Sequence, residues 1–201
     1  MSTREPVDRV LTVPNLITLV RLCMIPVFVW LLFGRENPTG AAVLLGVLGA
    51  TDWVDGFIAR RFNQVSTVGK VFDPIADRLL LFTAVICILI EGAVPAVIAW
   101  PVIAREVLVS VAVAALAAMG ARRIDVTWFG KAGTFALMCA FPLFLAASDD
   151  DFPLHDAALV GAWIFAVAGL ILSYYALIQY VPLARRALAE GRQGKATPAS
   201  G

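Results

Sequence analysis

The junction between two long apolar segments reads Asp52-Trp-Val-Asp55-Gly-Phe-Ile-Ala-Arg and, after eight further residues, Gly-Lys-Val-Phe-Asp73-Pro-Ile-Ala-Asp77. The first two aspartates are related as i and i+3, and the last two as i and i+4. Each of these spacings places a pair on one face of a helix. The short connection predicts two antiparallel neighbouring helices, so that the four carboxylates can converge.

The composition of the chain predicts an apolar solvent. Of its 201 residues, 60% are hydrophobic and only 15% are charged, and the mean hydropathy is +0.85. A soluble domain carries about 25% charged residues. Too few charges are present to cover a globule in water, so we expect lipid to surround most of the chain.

Six apolar segments are long enough to cross about 30 Å of hydrocarbon as helices. Their predicted limits are Leu16–Phe33, Gly40–Arg60, Val71–Leu89, Val94–Met119, Trp128–Ala147 and Ala157–Val181. The predicted fold is all-α: a polytopic membrane protein with six transmembrane helices in one bundle. Residues 1–186 form the membrane domain, and residues 187–201 are expected to be a disordered cytoplasmic tail.

The distribution of basic residues predicts the orientation in the membrane. One side of a six-span arrangement receives twelve of them: Arg4, Arg9, Arg60, Arg61, Lys70, Arg122, Arg123, Lys131, Arg185, Arg186, Arg192 and Lys195. The other side receives Arg35 and the acidic run 149–151. Both termini are therefore expected in the cytoplasm, and the protein in the inner membrane. The net charge of +1 argues against a nucleic-acid partner.

The four clustered aspartates predict a metal site. Carboxylates that close together in a low dielectric repel one another unless a cation neutralises them. Ligation by oxygen alone suits Mg²⁺ or Mn²⁺. Gly56, Ala59 and Gly69 permit close approach of a ligand, and the Arg60 guanidinium matches the geometry of phosphate oxygens.

Two other interpretations of these acids fit the sequence less well. A single buried aspartate is often a structural hydrogen-bonding group, which does not explain four at these spacings. An ion- or proton-coupled transporter also clusters acids within the membrane. Transporters place them near the midplane, at broken helices and within repeats, whereas these acids lie near one interface and no repeat is visible. We therefore favour an enzyme.

The residues quoted above resemble the signature of the CDP-alcohol phosphatidyltransferases at every fixed position. The segments VPNLITLVRL (residues 13–22), AREVLVS (104–110) and GKAGT (130–134) are similar to the branch that makes phosphatidylglycerophosphate and cardiolipin. The resemblance covers most of the chain. It implies transfer of a phosphatidyl group from CDP-diacylglycerol to an alcohol, with release of CMP, at the cytoplasmic side of the membrane.

The resemblance also implies a role for each residue of the signature. Asp52, Asp55 and Asp73 would hold the metal, while Asp77 would complete its shell and act as general base on the acceptor hydroxyl. The donor would be bound by a larger set, namely Gly56, Ala59, Arg60, Gly69, Asn15, Thr18 and Arg21. The family usually forms homodimers, so a homodimer is expected.

Arg105 stands in the middle of the fourth predicted span, where a charge is too costly for a lipid-facing position. One interpretation is an internal ion pair with an aspartate. The other is an anion contact for the phosphate of the acceptor, with Lys131 as its partner.

The acceptor is open at this stage. Phosphatidylglycerophosphate synthases of this branch commonly carry a second lysine where this chain has Gly133, and a glutamine where it has Leu137. Glycerol 3-phosphate is the first expectation and phosphatidylglycerol the alternative, because a missing lysine weakens a site for a dianionic phosphate. An inositol phosphate or another alcohol is a more remote possibility.

Overall fold

The computed structural model describes the backbone of residues 13–62, 69–119 and 127–196, and the side chains of residues 18–51, 79–116, 118, 119 and 127–183. The chain divides into two compact units. The first comprises the described residues up to Val94 together with Phe141–Leu159. The second comprises Pro95–Ala140 and the described residues from Val160 onward.

Every regular element in the described residues is helical, as the sequence predicted. The elements are α1 (Val13–Val29), a π-helical turn (Trp30–Gly34), α2 (Pro38–Phe62), α3 (Gly69–Glu91), α4 (Ala96–Ala118), α5 (Trp128–Ala146) and α6 (His155–Ala196). The starts and ends of α1 to α5 fall within a few residues of the predicted limits. The all-helical class is confirmed for the part of the chain that the structure describes.

The first helix buries polar side chains and exposes apolar ones. On α1, Thr18 and Arg21 are 6% and 4% exposed, whereas Leu19 and Val20 between them are 57% and 49% exposed. A helix in water buries its apolar face. Large apolar side chains are also exposed along the other described helices, as lipid requires.

Length and hydropathy agree with this polarity. Three helical segments of the described chain are long and apolar enough to cross a membrane: Ala96–Leu116, Trp128–Ala146 and His155–Leu183. Shorter apolar helical segments are Thr18–Gly34, Pro38–Thr51 and Leu79–Glu91. The protein is therefore a membrane protein.

In the first unit, α1 contacts both α2 and α3. Its core contains large apolar side chains that are almost fully buried, among them Phe28, Leu32, Val85, Ile88 and Phe144. Because α1 touches both helices of the aspartate signature, the packing of this core fixes the helices on which the signature lies.

Local sequence explains where two of these helices begin and end. The Asn37 Oδ1 atom accepts a 2.7 Å hydrogen bond from the Gly40 amide, so Asn37 caps α2, and Pro38 occupies the first helical position, where proline is favoured. This cap starts α2 before the predicted Gly40. At the end of α3, Gly92 adopts φ of 79°, and the Ala93 amide bonds the Ile88 carbonyl, as in a Schellman motif.

The three tyrosines of the chain all lie on α6 and contact other helices of the second unit. The Tyr174 hydroxyl donates to the Pro101 carbonyl of α4 at 3.0 Å. The Tyr175 ring packs edge-on against Phe129 of α5, with centroids 4.9 Å apart. The Tyr180 hydroxyl accepts a hydrogen bond from the amide of Thr127, just before α5. These contacts hold α4 and the start of α5 against α6.

The last helix is longer than the predicted sixth span, which ended at Val181, while the division into a membrane domain and a disordered tail stays a prediction. The backbone remains helical to Ala196, and residues 197–201 lie outside the described part. The segment 184–196 is rich in Ala, Arg, Glu, Gln, Leu and Lys, which are strong helix formers. Their helix propensity extends α6 although this segment has no apolar stripe. The sequence-based prediction of helices relied on apolar stripes and therefore ended the sixth span earlier.

Replacement of Phe28 by Ala tests the core of the first unit. The fully buried ring would leave a cavity, and we expect a loss of stability on the order of 3 kcal/mol. Phe33, which is exposed on the same stretch of chain, supplies the control Phe33→Ala. Thermal unfolding of the detergent-purified variants measures the difference. Equal melting temperatures for the two would contradict this description of the core.

Candidate active site

The two pairs of signature aspartates lie on the expected helices. Asp52 and Asp55 belong to the backbone of α2, and Asp73 and Asp77 to that of α3. Their side chains lie outside the described part of the structure. The same holds for five of the predicted donor-binding residues, Asn15, Gly56, Ala59, Arg60 and Gly69, whose backbones are helical.

The number of residues along a helix gives the distance from a predicted site residue to the opposite end of that helix, which is called its far end. Asp52 lies about 14 residues, or about 21 Å, after the start of α2 at Pro38. Asp77 lies about 14 residues, or about 21 Å, before the end of α3 at Glu91. Arg21 lies about 13 residues, or about 20 Å, before the end of the π-helical turn at Gly34. The three positions are thus at closely similar distances from the far ends.

Thr18 and Arg21, two predicted donor-binding residues with described side chains, are both buried in the first unit. They are three residues apart and share one face of α1. A guanidinium is placed inside a membrane protein only where polar groups or ligands compensate its loss of water. The face of α1 that carries Thr18 and Arg21 is therefore a polar surface within the unit that also contains α2 and α3.

The described side chains do not include those of the predicted metal ligands. Among the described side chains, no group of three or more His, Cys, Asp or Glu residues could hold a metal ion. The side chains of the four signature aspartates lie outside the described part. The metal site thus stays a prediction that rests on their positions along α2 and α3.

Arg105 is buried in α4, as predicted, and its Nη1 atom forms an ion pair with Glu106 Oε1. Both residues are 7% exposed, while Val107 and Leu108, which follow directly, are about half exposed. A charged pair therefore faces the protein interior within an apolar span. The described ion pair joins Arg105 to its sequence neighbour, an arrangement that neither sequence-based interpretation included.

Lys131 lies in the first turn of α5 and is exposed. The Thr127 hydroxyl caps this turn by accepting a hydrogen bond from the Gly130 amide at 3.2 Å. Arg105 lies about 20 Å before the end of α4 at Ala118. Arg105 is thus deep within its helix, and Lys131 is close to the start of its own.

Gly133 lies where α5 and α6 approach most closely. A Cβ atom added to Gly133 would lie 2.5 Å from Ser173 Oγ and 2.8 Å from the Ser173 amide nitrogen. A Cβ added to Gly169 would lie 2.9 Å from Leu137 Cγ. Gly133 and Leu137 on α5 therefore pack against Gly169 and Ser173 on α6, and no longer side chain fits at position 133.

The family model for CDP-alcohol phosphatidyltransferase matches residues 11–175 of the chain. This match extends from the start of α1 into α6 and includes all four aspartates. The chain belongs to the CDP-alcohol phosphatidyltransferase family. The resemblance carried by the aspartate signature is confirmed.

Curated relatives of this CDP-alcohol phosphatidyltransferase carry two kinds of name. A cardiolipin synthase (CMP-forming) of Streptomyces coelicolor is 38% identical over 92% of this chain and 88% of its own length. A putative cardiolipin synthase of Mycobacterium tuberculosis is 37% identical over 88% of this chain and 85% of its own. A CDP-diacylglycerol–glycerol-3-phosphate 3-phosphatidyltransferase of Escherichia coli is 33% identical over 86% of this chain and 94% of its own.

Sequence reasoning missed two features of this phosphatidyltransferase. Gly133 was interpreted as a lost lysine, although the structure shows it as a helix contact. The spacing of Gly169 and Ser173 was a usable signal, because small residues four apart mark close helix packing in membranes. The sequence analysis predicted no role for Glu106, since adjacent residues on a helix do not normally face each other.

Gly133→Ala tests the close approach of α5 and α6. The added methyl group would overlap Ser173, so we expect a lower melting temperature in detergent. Gly46→Ala is the matched control, because its nearest neighbour would be the Pro142 Cβ atom at 3.9 Å. Alanine there should keep or raise the melting temperature, since it favours a helix by about 1 kcal/mol over glycine. Equal behaviour of the two variants would rule out the close contact.

Proposed function

We propose that the protein transfers a phosphatidyl group from CDP-diacylglycerol to phosphatidylglycerol, with formation of cardiolipin and release of CMP. The reaction takes place at the cytoplasmic side of the inner membrane, on a protein with six spans and both termini in the cytoplasm. The observation that carries the choice of acceptor is the packing of Gly133 against Ser173. A homodimer, which the family resemblance implies, stays a prediction.

The donor half of the proposal rests on the family and on the positions of the aspartates. If the far ends of α1, α2 and α3 lie at one membrane surface, as in alternating spans, then Asp52, Asp77 and Arg21 share one depth. An all-carboxylate set at one depth fits Mg²⁺ or Mn²⁺. Asp52, Asp55 and Asp73 would hold this ion, with Asp77 beside them.

The bound ion would neutralise the diphosphate and stabilise the charge on departing CMP. Asp77 accepts the proton of the acceptor hydroxyl, which must lie within hydrogen-bond reach. The hydroxyl oxygen forms a bond to the phosphatidyl phosphorus, and the bond from that phosphorus to the CMP oxygen breaks. The proton stays on Asp77 until it passes to solvent.

Residues around the aspartates bind and orient the donor in this proposal. Arg60 contacts the diphosphate, and Gly56, Ala59 and Gly69 leave room for the cytidine. Asn15, Thr18 and Arg21 extend the donor site along α1. The burial of Thr18 and Arg21 supports this assignment, because it sets two polar groups on an interior face of the helix that contacts both α2 and α3.

The acceptor half depends on the charge of its phosphate. Glycerol 3-phosphate carries a phosphomonoester, with close to two negative charges at neutral pH, whereas phosphatidylglycerol carries a phosphodiester with one. Position 133 lies against α6 and cannot accommodate a second lysine beside Lys131. Arg105 and Lys131 are then the cations proposed for the acceptor, which favours the singly charged phosphate. Relatives named as cardiolipin synthases at 37–38% identity add support.

An acceptor assay separates this proposal from the first sequence-based expectation. Detergent-purified protein receives CDP-diacylglycerol and Mg²⁺ or Mn²⁺, with phosphatidylglycerol or glycerol 3-phosphate in separate reactions. We expect release of CMP and formation of cardiolipin in the reaction with phosphatidylglycerol, and no product in the reaction with glycerol 3-phosphate. Phosphatidylglycerophosphate as the product would restore glycerol 3-phosphate as the acceptor. Folded protein that releases no CMP with either would direct attention to inositol phosphate or other alcohols, and then to transport.

Asp77→Asn tests the proposed general base. The amide keeps the shape of the side chain but cannot accept the proton, so CMP release should fall by at least about a hundredfold. Asp156→Asn is the control, because Asp156 is exposed at the start of α6 and should keep full activity. Melting temperatures in detergent show that both variants are folded. Substantial activity in Asp77→Asn would exclude Asp77 as the base.

A further inference from the structure

Arg105 and Glu106 form a buried pair, and they are the only charged residues of the apolar span Ala96–Leu116. Both side chains are 9% exposed. Each charge is costly at this depth in a membrane. The presence of Glu106 next to Arg105 therefore calls for a role that an apolar residue would not fill.

The ion pair between Arg105 and Glu106 joins two consecutive residues of α4. Consecutive residues on a helix point about 100° apart, so ion pairs within a helix ordinarily join residues three or four apart. Arg105 must bend its side chain along α4 to bring Nη1 to Glu106 Oε1. The Glu106 carboxylate thus restricts the direction of the Arg105 guanidinium.

The backbone beneath the pair is itself anchored. The Pro101 carbonyl is the helical acceptor for the Arg105 amide, four residues on, and the same carbonyl also accepts the Tyr174 hydroxyl of α6 at 3.0 Å. The turn of α4 that carries Arg105 is therefore fixed to α6. With the backbone held in this way, the direction of the guanidinium depends on side-chain contacts such as that with Glu106.

We propose that Glu106 is a positioning residue that orients the Arg105 guanidinium toward the phosphate of the acceptor. This inference rests on the proposed function, in which Arg105 contacts the acceptor. Glu106 acts through Arg105 and takes no proton in the reaction. Its second effect is to balance the charge of Arg105 when no acceptor is bound, which lowers the cost of an arginine inside the membrane.

The test is a double-mutant cycle on the full-length protein in mixed detergent–lipid micelles, with CDP-diacylglycerol and phosphatidylglycerol varied separately. Arg105→Ala should raise the acceptor KM with little change in the donor KM. Glu106→Gln should raise the acceptor KM about tenfold, since it removes a charge-assisted contact. In the Arg105→Ala background, Glu106→Gln should have no further effect, because a positioning residue has nothing left to position.

The variant Glu106→Asp distinguishes a positioning role of Glu106 from a role in charge balance. It also provides a test if the variant Glu106→Gln fails to fold. The shorter carboxylate keeps the charge but cannot hold the guanidinium in the same place. Positioning predicts a raised acceptor KM for Glu106→Asp, and charge balance alone predicts the wild-type value. Ser110→Ala, one turn further along α4, is the control, because the Ser110 hydroxyl makes no hydrogen bond within the described residues. It should keep both KM values.

The outcomes separate this inference from the proposed function. Wild-type protein that makes no cardiolipin would overturn both. Active wild-type protein whose acceptor KM is unchanged in both Glu106 variants would overturn only the role of Glu106. Additive effects of Arg105→Ala and Glu106→Gln, or equal rises in donor and acceptor KM, would also overturn it.

Discussion

In an apolar solvent a charged side chain is stable only where the protein, an opposite charge or a bound ion replaces water. This constraint explains the arrangement of the described helices. Thr18 and Arg21 on α1, and Arg105 and Glu106 on α4, face inward, while their apolar neighbours face outward. A membrane enzyme can thus gather charges inside its helices at positions where a soluble protein would bury leucine.

The same constraint changes what holds the helices together. Lipid is as apolar as leucine, so close packing and hydrogen bonds must do what the hydrophobic effect does in water. The contact of Gly133 with Ser173 and the hydrogen bond from Tyr174 to Pro101 are examples in the second unit. Both lie close in sequence to Arg105 and Lys131, the cations proposed for the acceptor.

Much of the fold was predictable because hydropathy and helix periodicity are local properties. The limits of α1 to α5 follow from apolar runs and their breaks, with small shifts where Asn37 and Pro38 start α2 early. The helical extension of α6 to Ala196 was missed, since helix propensity acts there without an apolar face. The aspartate signature was visible for the same local reason: residues three or four apart share a helix face in any fold.

The sequence by itself determined the family, the membrane class and the set of aspartates, because each depends on spacing or composition within one or two helices. Tertiary structure decided the meaning of Gly133, since the atoms that exclude a side chain there belong to Ser173 and Gly169 on another helix. It also decided the pairing of Arg105 with Glu106. No local pattern contains these contacts, because which side chains meet depends on how the helices pack and how the side chains bend.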